Sequence, residues 1–175
     1  DLQGNKQKSA SWYRNAVSLI ADKSSPSELF ASGKLLNRPS AGRMSMFFYD
    51  PKFKQRLPYY DTFPLVLPLE PMKGGFIGLN FHYLPYGARF AFLQQLQRFS
   101  SNKKFDQSTK IQATYQQVKS NKYVKASIKR YLYSHVRSQF LRVNVNEMAL
   151  AAYLPVAQFQ GATLGQVFAR SRRTF

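Results

Sequence analysis

The sequence predicts an α+β protein with a small antiparallel twisted sheet or partly open barrel, N-terminal helices and a helical insertion. Three observations support this class: helical apolar spacing near the N-terminus, alternating segments between residues 43 and 84, and renewed helical spacing after Pro85. Helices and strands are segregated, without the alternation of a parallel sheet. The 175 residues, 44% of them hydrophobic, are enough for one domain with its own core.

We predict two regions: residues 1–42 form an N-terminal tail with helices, and residues 43–175 form a single α+β domain with a basic helical insertion at about 86–140. An amphipathic helix is expected over residues 11–21. A second helix should begin at Ser25-Pro26, because proline is favoured at the first helical position. Its apolar side is expected to extend to Leu35 or Leu36, before a linker over 37–42.

Strands are predicted at 43–49, 63–70 and 76–84, where apolar residues recur at every second position. The last two should form a hairpin around Gly74-Gly75. Gly78 is expected to allow close packing. Pro64 and Pro68 fall on one side of their strand, which indicates an edge strand or a bent one.

Helical spacing resumes after Pro85. A helix with Asp106 at its N-cap and another over about 123–140 should follow. A strand at 141–146, a short helix at 147–154 and a final helix from 163 or 164 to 172 complete the predicted order.

Charge is the strongest functional signal. From Pro71 to Phe175 there are sixteen Lys and Arg against two carboxylates, whereas the first seventy residues hold ten basic and six acidic side chains. Soluble domains normally mix both signs, so this excess indicates a polyanionic partner, with nucleic acid as the leading candidate. The alternative is a basic structural protein that meets an acidic protein surface.

The densest basic segment, residues 98–142, contains eleven basic residues and one acid. On the predicted 123–140 helix and its start, Lys122, Lys125 and Lys129 share one face, which can follow a phosphate backbone with little sequence reading. Such binding should weaken steeply with salt. The predicted DNA-binding residues are Lys103, Lys104, Lys110, Lys122, Lys125, Lys129, Arg130, Arg137, Arg170, Arg172 and Arg173.

Catalytic and metal-binding residues are not predicted, and no cofactor is implied. The chain has no cysteine. Asp50 and Asp61 are interpreted as turn-forming aspartates that bond nearby backbone amides. We expect His82 to be a satisfied surface or semi-buried side chain and His135 to pack at a core boundary. No apolar run approaches the ~20 residues of a membrane span, and the polar start does not predict a signal peptide.

Several long, aromatic-rich motifs resemble one known family. They are MSMFFYDPK at 44–52, LPYYDTFPLV at 57–66, GGFIGLNFHYLP at 74–85, NKKFDQSTK at 102–110 and KRYL at 129–132. Together they resemble the DNA end-protector proteins of contractile-tailed phages, from about Ser11 to Arg172. The resemblance implies a virion protein at the terminus of the packaged genome, which it shields from host exonuclease, and it carries over no catalytic residues.

The expected partners are phage DNA and other virion proteins such as portal or neck components, and a ring homo-oligomer is an open option. A neck, connector or head-completion protein is the main alternative. In that case the aromatic loops would contact proteins through Tyr49, Phe53, Tyr59 and Tyr60. An RNA-binding or ribosomal-type protein and a small basic nuclease stay open as well.

Overall fold

The computed structural model describes residues 25–100, 122–144 and 147–173, together with positions 12, 15, 16 and 116. In chain order the elements are α1 (Pro26–Ser32), β1 (Lys34–Leu36), β2 (Ser45–Met46), β3 (Tyr60–Asp61), β4 (Leu65–Met72), β5 (Gly75–Asn80), α2 (Tyr86–Ser100), α3 (Lys122–Lys125), β6 (Ile128–Leu132), β7 (Phe140–Arg142), α4 (Met148–Tyr153), β8 (Phe159–Gln160) and α5 (Leu164–Arg173). Short 3₁₀ turns cover Lys54–Arg56, Phe81–Tyr83 and Tyr133–His135. None of the helices in these described ranges is long and apolar enough to cross a membrane.

Six strands form one antiparallel sheet in the order β1-β7-β2-β4-β5-β6, and β3 pairs with β8 in a separate two-stranded sheet. The six-stranded sheet does not close into a barrel. The α+β prediction is therefore confirmed, with the open antiparallel sheet as the correct alternative. β1 comes from the predicted N-terminal region and joins this sheet beside β7.

The β4–β5 hairpin was predicted and is present. Met72 pairs with Gly75, so Lys73 and Gly74 form the turn, and Gly74 adopts a φ of 75° that glycine tolerates best. β4 lies inside the sheet, so the edge-strand alternative is wrong. The bent alternative is correct, since the register shifts between Pro68 and Glu70.

The sheet buries apolar side chains on both faces. One face packs with α2 and α4 over a mainly aliphatic core that includes Leu65, Leu67 and Leu79. The other face holds an aromatic cluster that is centred on Phe47. Its neighbours Phe76 and Tyr131 pair across β5 and β6 and stack with ring centroids 5.4 Å apart.

The predicted helix over 123–140 is wrong. The α-helix is limited to Lys122–Lys125, residues 128–132 form β6, hydrogen-bonded along β5, and Tyr133–His135 is a 3₁₀ turn. Without β6 the outer edge of β5 would have unpaired backbone groups, and the aromatic Tyr131 fits a sheet face. Tertiary pairing therefore overrides a spacing that also fits a helix.

Other boundaries changed for local reasons. Ser25 caps α1 as predicted, but the helix ends at Ser32 because Lys34–Leu36 pairs with β7. β5 ends at Asn80, whose side chain accepts from the His82 amide and starts a 3₁₀ turn. The predicted strand at 141–146 is observed as β7, and α2, α4 and α5 lie where helices were predicted. The predicted loop after Ser100 and the Asp106 helix lie outside the described residues, as does most of the 11–21 helix.

Candidate nucleic-acid interface

A basic loop projects from the sheet between residues 51 and 57. Lys52, Lys54 and Arg56 are all exposed, and Phe53 between them has 55% of its surface exposed. The Lys52 Nζ atom lies 5.2 Å from the centroid of the Phe53 ring. The loop therefore presents an aromatic ring among three cations, which is the combination that contacts unstacked bases and phosphates.

Contacts at Asp50 hold the base of this loop in position. The Asp50 carboxylate accepts from Lys54 Nζ at 2.8 Å and lies 3.7 Å from Arg137. The pKa of the Asp50 carboxyl is lowered, and the largest cause is the hydrogen bond from Lys54. The His135 ring donates to the Asp50 carbonyl, which fits the boundary role predicted for this histidine. No hydrogen bond from a backbone amide to the Asp50 side chain is seen among the described residues, so the predicted turn-forming role of Asp50 is wrong.

β6 brings Lys129 and Arg130 to the outer edge of the sheet, next to the basic loop. The Lys129 Nζ atom lies 4.1 Å from the centroid of the Tyr83 ring, within cation–π range. Burial lowers the pKa of the Lys129 ammonium below its ordinary value. Arg130 is exposed, and no carboxylate partner for it is seen in the described part of the chain.

α5 adds a further cation to the same side. The Arg170 guanidinium carbon lies 5.4 Å from the Tyr59 ring centroid, and the Tyr59 ring lies 6.0 Å from that of Tyr83. Phe159 of β8 packs edge-on against Tyr83 at 5.0 Å. Lys129 of β6 and Arg170 of α5, which are separated in the sequence, thus lie over two tyrosine rings that pack against each other.

A cavity of about 440 Å³ opens between the basic loop and β6. Its rim carries exposed side chains of Lys52, Phe53, Leu57 and Arg130. Deeper in the cavity the lining is aromatic, and its four tyrosines are Tyr49, Tyr60, Tyr83 and Tyr131. The arrangement can hold a flat aromatic group near positive charge.

Asp61 lies at the base of this cavity. One carboxylate oxygen accepts from the Phe63 amide at 3.0 Å, and the other accepts from Asn80 at 3.1 Å and contacts His82 Nδ1 at 2.6 Å. Burial raises the pKa of Asp61, but the attraction of His82 and these hydrogen bonds outweigh burial and leave it lowered. The predicted turn role of Asp61 is confirmed, and the aspartate also joins two further segments.

His82 is fully buried in the 3₁₀ turn, so the predicted surface or semi-buried position in a strand is wrong. Its Nε2 atom has no hydrogen-bond partner among the described residues and is shielded from solvent. Among the residues that the structure describes, no group of three His, Cys, Asp or Glu is placed to hold a metal ion. The Asp61–His82 pair thus connects segments of the fold beneath the cavity.

The structure separates the predicted DNA-binding residues into three groups. Lys129 and Arg130 line the cavity, and Arg170 lies over Tyr59, which packs against the cavity residue Tyr83. Lys125 is exposed on α3, and Arg137 donates to the Ser134 carbonyl and lies near Asp50. Outside the described residues or side chains are Lys103, Lys104, Lys110, Lys122, Arg172 and Arg173. Because residue 129 lies in β6, the predicted helical stripe does not form.

The predicted protein-contact residues also differ from one another. Phe53 is exposed, whereas Tyr59 and Tyr60 are half-buried. Tyr49 is 8% exposed, and its hydroxyl accepts from the Leu132 amide, so its position argues against a role as a surface anchor. Sequence reasoning missed Lys52 and Tyr83 as site residues, although the cations at every second position around Phe53 in 52–56 were a visible signal.

Comparison of the chain with known protein families identifies its family. The family described as Phage T4 terminal DNA protecting protein matches residues 3–172. The chain belongs to this family. The match covers the sheet, the basic loop and α5 almost to its end, so the candidate interface is part of the shared sequence.

The family assignment confirms the resemblance to DNA end-protector proteins of phages and places this chain among phage proteins that protect terminal DNA. Comparison with curated proteins found no match, and comparison with solved structures found none either. The residues that contact DNA therefore have to be argued from the geometry of this chain.

Proposed function

We propose that this protein binds the end of double-stranded phage DNA through its phosphates, without reading base sequence, and shields that end from exonuclease within the virion. The observation that carries the proposal is the surface around the packed rings of Tyr59 and Tyr83, with Arg170 over the first ring and Lys129 over the second. The family's role in protecting terminal DNA supports the same partner.

The charge of this surface favours a phosphate backbone over a neutral partner. Lys52, Lys129 and Arg130 line one cavity, and the single carboxylate among the described lining residues, Asp61, is buried with both oxygens engaged. Lys and Arg contacts to phosphate release counterions and confer affinity for any sequence. A protein that protects a genome end needs this sequence tolerance if the ends vary.

We also propose that the protein protects DNA without catalysing a reaction. Asp61 and His82 would be the natural acid–base pair, but the histidine has no exposed surface and its free nitrogen is enclosed. A general base has to reach the proton that it removes. Shielding by occupancy is thus the better-supported mode of protection. Mg²⁺-dependent shortening of DNA by the purified protein would contradict this part of the proposal.

Protection can be tested with linear duplex and a covalently closed circle of the same sequence. We expect the protein to slow exonuclease digestion of the linear duplex and to bind it more tightly than the circle at low salt. Binding should fall by about 10³-fold or more between low and moderate salt if six or more phosphates are contacted. Equal affinity for both DNAs, or a flat salt response, would argue against end binding through phosphates.

A neck, connector or head-completion role is the second candidate, and one observation favours it. Phe53 and Leu57 are large apolar side chains with 55% and 43% of their surfaces exposed on the basic loop. Exposed apolar residues are typical of protein contacts. Locating the chain in an intact particle separates the two roles: a closed ring of copies away from the genome end supports a connector, and contact with the DNA terminus supports protection.

A further inference from the structure

We infer that the cavity between the basic loop and β6 holds the last, unpaired nucleotide of a DNA strand, with its base among the aromatic rings and its phosphate near the rim cations. This inference rests on the proposed function and assigns the part of the DNA end that the protein contacts. A cavity that holds an unpaired nucleotide would distinguish a DNA end from an internal stretch of duplex, whereas a basic surface alone would not.

The size of the cavity limits which part of a DNA end can enter it. Its volume of about 440 Å³ lies within the roughly 300–1,000 Å³ of small-molecule sites. One nucleotide fits such a space, whereas a base-paired duplex does not. A nucleotide can enter only if it is unpaired and free on one side, which is the situation of a frayed or overhanging strand end.

The lining suits a base. Phe53 presents an exposed ring at the rim, Tyr60 is half-buried, and Tyr83 lies deeper beneath Lys129. Aromatic side chains stack on the faces of all four bases and therefore tolerate any sequence. Apolar contact from Leu57 and Met72 completes a surface that favours a flat aromatic group.

The charges suit a phosphate. Lys52 and Arg130 lie exposed at the rim, and the Lys129 ammonium lies inside, over the Tyr83 ring. Asp61 is the only carboxylate among the described lining residues, and its oxygens face His82, Asn80 and backbone amides. An anion in this space thus meets three cations without an exposed acid. An acidic peptide would satisfy the cations too, but it would leave the aromatic lining without a stacking partner.

The lysine in the cavity offers a clean substitution. Lys129→Met keeps a long apolar stem and removes the charge that burial disfavours, so the fold should be retained. Phe53→Ala is a second variant, because this exposed ring has little role in the core. Lys34→Met on β1 is the charge control, since β1 is the opposite edge strand of the sheet.

The test uses the full chain and a hairpin-closed duplex with one free end that carries a single overhanging 2-aminopurine, at the 3′ or the 5′ side. We expect binding to change the emission of the terminal probe on at least one of the two strands, and to leave a probe placed well inside the duplex unchanged. Affinity for the overhanging end should fall about tenfold in Lys129→Met and in Phe53→Ala, and less than about twofold in Lys34→Met.

The outcomes separate this inference from the proposed function. If the wild-type protein protects linear DNA while neither terminal probe responds, or while both cavity variants bind like wild type, the cavity does not hold the nucleotide and the proposed function stands. If the wild-type protein shows no preference for linear over closed DNA, the proposed function itself is contradicted, and the inference that rests on it is contradicted as well.

Discussion

Asp61 and His82 form a buried pair in which the aspartate Oδ2 atom lies 2.6 Å from the histidine Nδ1 atom. The other aspartate oxygen accepts from the amides of Phe63 and Gln158 at 3.0 and 3.3 Å. One carboxylate therefore joins β3, the turn that follows β5 and the segment before β8. This junction holds the floor of the cavity, so the stability of the fold and the shape of the candidate interface are coupled.

Asp61→Asn should lower the free energy of unfolding by about 3 kcal/mol, because it removes one charge from a buried pair and presents an amide to donor groups. Urea unfolding followed by circular dichroism measures the change. Asp50→Asn is the matched control, since that carboxylate is exposed, and we expect a much smaller effect. Equal losses in the two variants would show that the buried junction is not special.

The same aspartate predicts a dependence on pH. Because the pKa of Asp61 is lower in the folded protein than its ordinary value of about 3.9, its contribution is complete above that value. The contribution is lost as the pH falls from the ordinary value through the lowered one, since the unfolded chain binds the proton more readily. The stability difference between wild type and Asp61→Asn, measured by urea unfolding, should therefore shrink below about pH 4. A constant difference down to pH 2 would contradict the lowered pKa.

Arg89 is a structural cation, in contrast to the surface residues. It is 1% exposed and donates to the carbonyls of His82, Leu84 and Ala152, which ties the start of α2 to α4. Burial lowers its pKa to about 10, so it stays charged at neutral pH. Arg89→Lys should cost about 2 kcal/mol, because one ammonium cannot replace the planar guanidinium at three acceptors.

The expected shift of Tm for Arg89→Lys is about 4–8 °C downward, measured by calorimetry. Arg130→Lys provides the control on the exposed edge of β6 and should leave Tm nearly unchanged. If Arg89→Lys has the same Tm as the Arg130→Lys control, the contacts of Arg89 with the three carbonyls are weak in solution.

The salt response of DNA binding should identify the phosphate contacts. Arg56→Gln and Arg130→Gln are each expected to reduce the slope of log K against log salt by about one, equally on two unrelated DNA sequences. Lys34→Gln on β1 should leave the slope unchanged. Fluorescence anisotropy with a labelled linear duplex measures all three, and a sequence-dependent loss would indicate base reading in place of phosphate contact.

Much of the local structure follows from short sequence patterns. Ser25-Pro26 begins α1 because a capping side chain and a preset proline φ angle act within one turn. The β4–β5 hairpin follows from alternation around a glycine turn, which also involves only neighbours. Residues 128–132 are different: their spacing fits a helix and a strand alike, and the open edge of β5 decides between them.

The candidate site depended on contacts that no local pattern contains. Lys129 was predicted to bind DNA, but on a helical stripe with Lys122 and Lys125. Its observed neighbours are Tyr83 and the 51–57 loop, which β6 reaches only by pairing with β5. Likewise, Arg170 meets Tyr59 because α5 packs beside the Phe81–Tyr83 turn.

By itself, the sequence determined the class of partner and the fold class, since net charge and residue alternation are properties of composition and local order. The acid-poor segment after Glu70 already indicated a polyanion, and its motifs already resembled the DNA end-protector family. Only the tertiary structure decided which cations lie close together. Pairing of β6 with β5 and packing of α5 join side chains that are far apart in the chain, because buried backbone and apolar groups have to find partners wherever the fold supplies them.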